Sequence, residues 1–297
     1  MTTFHANGKL LLTGEYFILD GAVGLALPTK FGQTISVESS AEKGIFWKSV
    51  DHENKVWFEA KFSASLDIIS ASNNEIAATL QNILLKSQIS NLKSQFTTKL
   101  DFPQNWGLGS SSTLISLLAQ YANVDPYELL AKTFGGSGYD IACATAKSAI
   151  TYQLTTHGSR LTNAIDFNPT FKEHLYFVHL GKKQNSREGI QHYRNLSIDK
   201  SEYIEQISEL TQKIIHANEL DEFCYYMEVH ENIVANVLNL RKVKDLYFPD
   251  FPGTIKSLGA WGGDFVLVAS DESPEMISAY FQQKGFPVIL SYRDMIL

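Results

Sequence analysis

An α+β fold is what this 297-residue sequence predicts, and three observations carry the prediction. Alternation of apolar and polar residues, the period of half-buried strands, dominates the first hundred positions. Apolar residues at three- and four-residue spacing mark helices after residue 110 and again after residue 200. Strand patterns return at 150–154, 175–178, 265–268 and 287–290, so strands and helices are mixed in layers around a common core.

The elements follow in order. Ile35 and Val37 alternate with polar neighbours. Val56, Phe58, Ala60 and Phe62 alternate with Trp57, Glu59 and Lys61, and the turn Asp51-His52-Glu53-Asn54 pairs them with Ile45-Phe46-Trp47 as a hairpin. Ile76, Leu80, Ile83 and Leu84 lie on one side of a helix, and a strand over Thr98–Phe102 ends at Pro103. A buried helix then begins near Thr113, with Leu114, Leu117 and Leu118 on one face. Asp125-Pro126-Tyr127-Glu128 starts another helix with an N-cap, a first-turn proline and a reciprocal glutamate, and Gly135-Gly136 ends it. After the strand at Ile150–Leu154, the polar stretch Thr155–Arg160 predicts a subdomain boundary, giving segments 1–160 and 161–297. The second segment holds a strand at Leu175–Val178, a helix with Ile204, Ile207, Leu210 and Ile214 on one face, a helix around Phe223–Leu238, and the last two strands.

Composition narrows the function. With 44% hydrophobic and 12% aromatic residues the chain buries a large core. A net charge of −7 supplies no basic field for nucleic acid, so anion binding is expected to be local and the ligand small. Cys143 and Cys224 have no metal-ligand spacing and sit in apolar helical context, which predicts free thiols and a cytoplasmic setting. The Leu10-Leu11-Leu12 run is cut by Gly14 and Glu15, and neither a signal peptide nor a membrane span is predicted. The eight histidines form no paired-ligand pattern, which argues against zinc. A single GGxGxD match at Gly135–Asp140 lacks the repeats that a calcium-binding β-helix requires.

Gly107-Leu108-Gly109-Ser110-Ser111-Ser112 opens directly onto the buried helix. Glycines admit close approach of the backbone, serines add hydroxyl donors, and the helix start turns N–H groups and positive dipole toward an anion. A flexible linker of this composition would not lead into a buried helix. The hexamer is neither a GxxxxGK[ST] loop nor a complete dinucleotide fingerprint.

Three more segments accompany the loop: Gly8-Lys9 with Gly14-Glu15-Tyr16, Gly136-Ser137-Gly138-Tyr139-Asp140, and Lys256–Asp264 with its glycine run. In this order and spacing the sequence resembles the GHMP small-molecule kinases over essentially its whole length. The Gly-Glu-Tyr, Gly-Ser-Gly-Tyr-Asp and Gly-Gly-Asp strings look more like phosphomevalonate kinases than mevalonate kinases. Asn7, Ser112 and Trp261 depart from the pattern, standing where proline, alanine or glycine, and glycine are common.

The resemblance implies a GHMP kinase fold, with an N-terminal subdomain like ribosomal protein S5 domain 2 and a C-terminal ferredoxin-like subdomain. It implies ATP and Mg2+ as cofactors. Lys9 and Asp140 are the expected catalytic residues, the ammonium offsetting charge on the transferred phosphoryl group and the carboxylate orienting or deprotonating the acceptor. Without the resemblance, Lys9 reads as solvated and Asp140 as a helix cap. Asn105, Trp106, Gly107, Leu108, Gly109, Ser110, Ser111 and Ser112 are the expected nucleotide-binding set. Trp106 reads equally as core. Ser111 and Glu128 are the metal candidates, although Glu128 also completes a capping box. The acceptor is expected at Glu15, Ser137, Gly138, Gly262, Gly263 and the basic stretch containing Lys182, Lys183 and Arg187, which leads into a helix near Ser186.

The expected activity is phosphorylation of phosphomevalonate in the mevalonate route to isoprenoids. Mevalonate or another hydroxyl acceptor is the alternative. The partners are then a small-molecule acceptor and neither nucleic acid nor membrane, in a monomer or homodimer. A decarboxylase of the same family would generally lack the lysine that Lys9 supplies, and a non-catalytic sensor has no use for the Lys9 and Asp140 pair.

Overall fold

The computed structural model describes every residue except 90, 91, 183–185 and 262. The chain packs as two compact units. The first comprises residues 1–8, 31–104 and 108–145, and the second 9–30, 105–107 and 146–297. Strands β1 (Thr2–Thr13) and β2 (Gly24–Ser39) contribute residues to both.

The first unit contains β3 (Gly44–Val50), β4 (Val56–Phe62), β5 (Ile68–Ala71) and β6 (Lys93–Leu100), with helices α1 (Asn74–Lys86), α2 (Ser110–Ala122), α3 (Pro126–Ala131) and α4 (Tyr139–Thr145). Its strands run in the order β5-β4-β3-β6-β2. The expected β3–β4 hairpin is present, and β6 lies parallel to β3 after the crossover through α1. Phe58, Ala60 and Phe62 turn inward, while Val56 at the strand start is exposed. The inner faces of β2, β3 and β6 meet α1 and α2 in one core, where Trp47 stacks on Phe96 at 5.4 Å and Tyr121 meets Phe96 edge-on. On α1, Leu80, Ile83 and Leu84 are buried as expected, with Ala77 in place of the more exposed Ile76. On α2 the buried face centres on Ile115, Leu117 and Leu118, and Leu114 is only partly covered.

The second unit contains β7 (Ile150–Leu154), β8 (Arg160–Ala164), β9 (Leu175–His179), β10 (Thr254–Ser257), β11 (Phe265–Ala269) and β12 (Ile289–Ser291). Its helices are α5 (Ser186–Arg194), α6 (Ser201–His216), α7 (Leu220–Leu238), α8 (Val243–Tyr247), α9 (Pro274–Gln283) and α10 (Tyr292–Met295). Residues Gly24–Ala26 of β2 pair with β7, which pairs with β8. The stretch Thr155–Arg160, expected to be a boundary, is instead the tight turn of this hairpin, with Gly158 N–H donating to the Thr155 carbonyl. The compact units divide the chain elsewhere, because early strands supply both.

The remaining four strands form an antiparallel sheet in the order β10-β11-β9-β12. Chain order β9, helices, β10, β11, α9, β12 in that spatial order is the split βαβ pattern of ferredoxin-like folds. Phe248, Phe251, Ile277 and Phe281 pack on one face of the sheet. A separate cluster gathers Tyr16, Phe17, Tyr193, Ile207, Val234 and Trp261. Strand β10 and helix α9 were not legible in advance, although Ser273 caps α9 and Pro274 follows as its first residue. No helix among the described residues is long and apolar enough to cross a membrane.

Helix α3 starts as its sequence dictates. The Asp125 carboxylate accepts from Tyr127 N–H at 2.7 Å and Glu128 N–H at 3.0 Å. The Glu128 carboxylate turns instead to Lys132 one helical turn on, 3.2 Å away on an exposed face. Replacing Asp125 by alanine should therefore cost about 1 kcal/mol of unfolding free energy. Glu128→Ala should cost under about 0.5 kcal/mol, as an exposed i,i+4 pair does. Urea unfolding of the two variants measures the difference.

Candidate active site

In the first unit Leu108 to Ser112 lead directly into α2. Gly109 adopts φ +92 and precedes α2 directly, offering no side-chain cap. The first helical bond runs from Thr113 N–H to the Gly109 carbonyl at 2.9 Å. The N–H groups of Ser110, Ser111 and Ser112 therefore precede the helical ladder and point out of its positive end. The serine hydroxyls divide. Ser112 is buried and donates to the Gly109 carbonyl at 2.8 Å, so its hydroxyl is used within the turn. Ser110 is half-buried and Ser111 exposed, and their hydroxyls have no hydrogen-bond partner among the described residues. Leu108 is fully buried and anchors the loop. Thr113 behind them donates to Gln33 on β2 at 2.7 Å, which fixes the helix start to the sheet.

The same unit carries Ser137, Gly138 and Asp140. Ser137 is buried, Gly138 adopts φ +90, and its carbonyl receives Ala142 N–H to begin α4. Asp140 stands in the first turn of α4, half-buried, with a carboxylate oxygen 3.0 Å from Ile141 N–H. Its position fits both a cap and a carboxylate presented at a helix start. Among the described residues no three His, Cys, Asp or Glu side chains gather as metal ligands. A magnesium ion here would have to draw most of its oxygens from phosphates and water, which is its usual habit. Ser111 offers one hydroxyl for that purpose, and Glu128 is committed to Lys132 on the exposed face.

In the second unit Lys9 is half-buried, and its ammonium donates to the Gly107 carbonyl at 3.1 Å. Gly107 adopts φ +67, and a Cβ there would collide with the Asp264 carboxylate. Asp264 itself has φ 40 and is held by two backbone bonds, from its N–H to the Lys182 carbonyl and from Leu180 N–H to its own carbonyl. Asp264 thus abuts Gly107, and Lys9 bonds the carbonyl of that same residue. Gly263 is buried beside them, while Gly262 lies outside the described residues. Asn105 is exposed, and its carbonyl lies 3.0 Å from His179 Nε2. Trp106 sits edge-on to Phe265 at 5.5 Å, so its ring packs on the β9–β11 sheet.

Glu15 was expected to face the acceptor, but it has no exposed surface. Its carboxylate accepts from the Lys256 ammonium, which is equally buried and also donates to the Ser257 carbonyl at 2.9 Å. Glu231 accepts from the N–H and hydroxyl of Ser257, and His230 Nε2 accepts from Gly14 N–H at 3.0 Å. Four ionisable side chains are therefore packed away from water around the first-motif turn. Desolvation raises the Glu15 carboxyl to about 7 against the pull of Lys256, and burial raises Glu231 as well. Burial and the Lys256 charge hold His230 well below its ordinary value, so it is a neutral acceptor here. Sequence reasoning missed Lys256, His230 and Glu231. Thr254-Ile255-Lys256-Ser257 holds a single apolar residue, so its composition gives no signal of burial.

Tyr16 follows Glu15 with φ 62 and ψ −46, a conformation that costs a non-glycine residue about 1–3 kcal/mol. Its hydroxyl donates to the Ala260 carbonyl at 2.9 Å, and its ring stacks on Tyr193 of α5 at 5.7 Å. Trp261, the departure from the glycine run, keeps a glycine-like φ of 56 and buries its ring in the same cluster. Helix α5 begins at Ser186 as expected and presents Arg187 at the surface, while Lys182 lies 5.9 Å over the Tyr247 ring. Lys183 lies outside the described residues.

Two outcomes follow. Gly107→Ala combines a left-handed backbone with the Asp264 collision, so it should lower stability by more than about 1 kcal/mol. In the Gly107→Ala/Asp264→Gly double variant part of that loss should return, giving a non-additive cycle in urea unfolding. Glu15 holds its proton to a higher pH in the folded state, about 7 against 4.5. The stability this contributes is fully present below pH 4.5 and is lost as pH rises toward 7. Glu231 shifts the same way, so Glu15→Gln should flatten part of this slope in thermal melts taken across that window.

No protein-family model matches the sequence, and no curated protein matches it. Solved structures do. A phosphomevalonate kinase from Streptococcus pneumoniae, in complex with phosphomevalonate and AMPPNP, superposes with a TM-score of 0.72 at 16% identity, covering 98% of this chain and 100% of that one. The L. major mevalonate kinase in complex with R-mevalonate gives 0.71 at 13% identity, covering 98% and 95%. A galactokinase from Lactococcus lactis complexed with galactose gives 0.64 at 12%, covering 97% and 92%. At these identities the likeness speaks to architecture and leaves the acceptor open. With its large mixed sheet and its split βαβ sheet, this chain has the GHMP kinase fold.

Proposed function

We propose that this protein is an ATP- and Mg2+-dependent small-molecule kinase, with phosphomevalonate as the first acceptor and mevalonate as the second. The observation that carries the reading is the start of α2, where the Ser110 and Ser111 hydroxyls, without a hydrogen-bond partner among the described residues, accompany helix N–H groups behind left-handed Gly109. That set of neutral donors suits a polyphosphate. When bound, Mg2+ would neutralise phosphate charge, and Ser111 is the side chain best placed to reach it. Lys9 has one of its three donors on the Gly107 carbonyl and would bring its charge to the transferred phosphoryl group. Asp140 would orient the acceptor, or take its proton if the acceptor is a hydroxyl.

Phosphomevalonate is preferred to other acceptors on the Gly-Glu-Tyr and Gly-Gly-Asp strings and on the Streptococcus pneumoniae structure that shares this architecture. The presence of Lys9 speaks against decarboxylation. The protein would work in the cytoplasm, with a metabolite as its partner.

A coupled ADP-release assay with phosphomevalonate, mevalonate, homoserine and simple sugars tests the reading. Phosphomevalonate should give the highest kcat/KM, and no ADP formation with any acceptor would leave a non-catalytic sensor. Lys9→Met should lower kcat by at least about 100-fold, the range of a lost charge-stabilising contact. A phosphate monoester is already largely ionised near neutral pH. Asp140→Asn should then cost less than Lys9→Met, under about 10-fold, whereas a hydroxyl acceptor would raise that to about 100–10,000-fold.

A further inference from the structure

Among the contacts of the second unit, those of Tyr16 are the hardest to account for by packing alone. Glu15 is fixed by the buried Lys256, and Gly14 N–H is fixed by His230, so the turn has no freedom to relax. Phe17 N–H donates to the Glu15 carbonyl at 2.7 Å and Ile18 N–H to the Gly14 carbonyl at 2.9 Å, which closes the backbone on both sides of Tyr16. The residue is thereby held at φ 62, where a glycine would sit without strain. A glycine would bring no phenol. The strained conformation carries the ring to two places: its hydroxyl reaches Ala260, in the loop between β10 and β11, and its face meets Tyr193 on α5. A Cβ at Gly189 of α5 would collide with the Tyr16 hydroxyl, so that helix comes as close as a residue without a side chain allows. Tyr193 in turn donates to Asp20 at 2.8 Å, and the Lys200 ammonium lies 4.3 Å over its ring.

We infer that Tyr16 is a positioning residue for the acceptor: it ties the Leu258–Asp264 loop to helix α5 and so sets the spacing between Ala260 and the helix that carries Arg187. This rests on the kinase reading above. Tyr16 acts through Ala260 and α5 and need not touch the acceptor itself. The hydroxyl and ring of Tyr16 meet Ala260 and α5, the helix that carries the expected acceptor residue Arg187, whereas Gly107 is abutted by Asp264, so the effect should fall on the acceptor more than on the nucleotide.

The test uses Tyr16→Phe, which keeps the ring and removes the hydroxyl that bonds Ala260, and Gly189→Ala, which forces α5 away from the hydroxyl. Both are assayed with ATP and phosphomevalonate, and backbone amide exchange is followed across 258–264. The expected result for each is a rise of about 5- to 10-fold in acceptor KM with ATP KM within twofold, as loss of one or two hydrogen-bond equivalents gives. Tyr16→Phe should also speed exchange at Trp261 and Asp264, whose N–H groups are bonded to Leu258 and Lys182. Unchanged acceptor KM with unchanged exchange would overturn the inference, as would equal rises in both KM values accompanied by a large fall in Tm. If the wild-type protein turns over no acceptor, the kinase reading fails separately, and exchange alone decides whether Tyr16 holds the loop.

Discussion

A buried ammonium ion has to be answered, and Lys256 sets the terms for much of the second unit. It lies on β10, a strand with no exposed residue, where an uncompensated charge would cost several kcal/mol. Glu15 answers it from a turn 241 positions earlier in the chain. Glu231 stands close by and is satisfied on one oxygen by Ser257. Two carboxyl groups around a single lysine leave one negative charge too many, and burial resolves the excess by favouring protonated acid. The pair does more than neutralise. It removes the freedom of the Gly14-Glu15-Tyr16 turn, and a turn with no freedom can hold its neighbour in a strained backbone.

Left-handed backbone positions give the site regions their shape. Gly107 and Gly109 bracket Leu108, and both adopt conformations that ordinary residues avoid. Gly107 also yields the room that the Asp264 carboxylate occupies. The departures from the family pattern become intelligible in the same terms. Trp261 retains the backbone conformation of the glycine it replaces and inserts its ring among Tyr16, Tyr193 and Val234. Ser112 turns its hydroxyl inward onto the Gly109 carbonyl, so the departure adds a bond within the turn.

Local signals in the sequence were strong where structure is local. The β3–β4 hairpin, the cap at Asp125, the start of α5 at Ser186 and the opening of α2 all rest on residues within a few positions of one another. What was not legible depends on distant partners. Nothing near Lys256 marks it as buried, since its counter-charge is Glu15 and its enclosure comes from α7. Glu15, expected at the acceptor, gives no sign of burial until that lysine is known. The stretch Thr155–Arg160 shows the same dependence: a polar hairpin turn and a polar linker have the same composition, and only pairing between β7 and β8 separates them. Glu128 had two readings in sequence, metal ligand and capping-box partner, and its carboxylate pairs with Lys132, a neighbour that neither reading invoked.

The interleaving of the two units bears on how the chain reaches this state. The second unit needs residues 9–30 together with 146–297, and Thr29 bridges to Ile296 while Leu297 N–H donates to the Pro28 carbonyl. A loop spanning most of the chain must close before that seam exists. The entropic penalty for such a loop grows only slowly with length, about 0.6 kcal/mol for each doubling. The kinetic penalty is larger, because non-local pairings delay the transition state. During synthesis the first unit can collect its strands and helices by residue 145, whereas residues 9–30 must wait for partners made at the far end. Through that interval the Gly14-Glu15-Tyr16 turn has no Lys256 to hold it, and the strained conformation at Tyr16 has nothing to sustain it. The Gly14-Glu15-Tyr16 turn is thus among the last parts of this protein able to take its final shape.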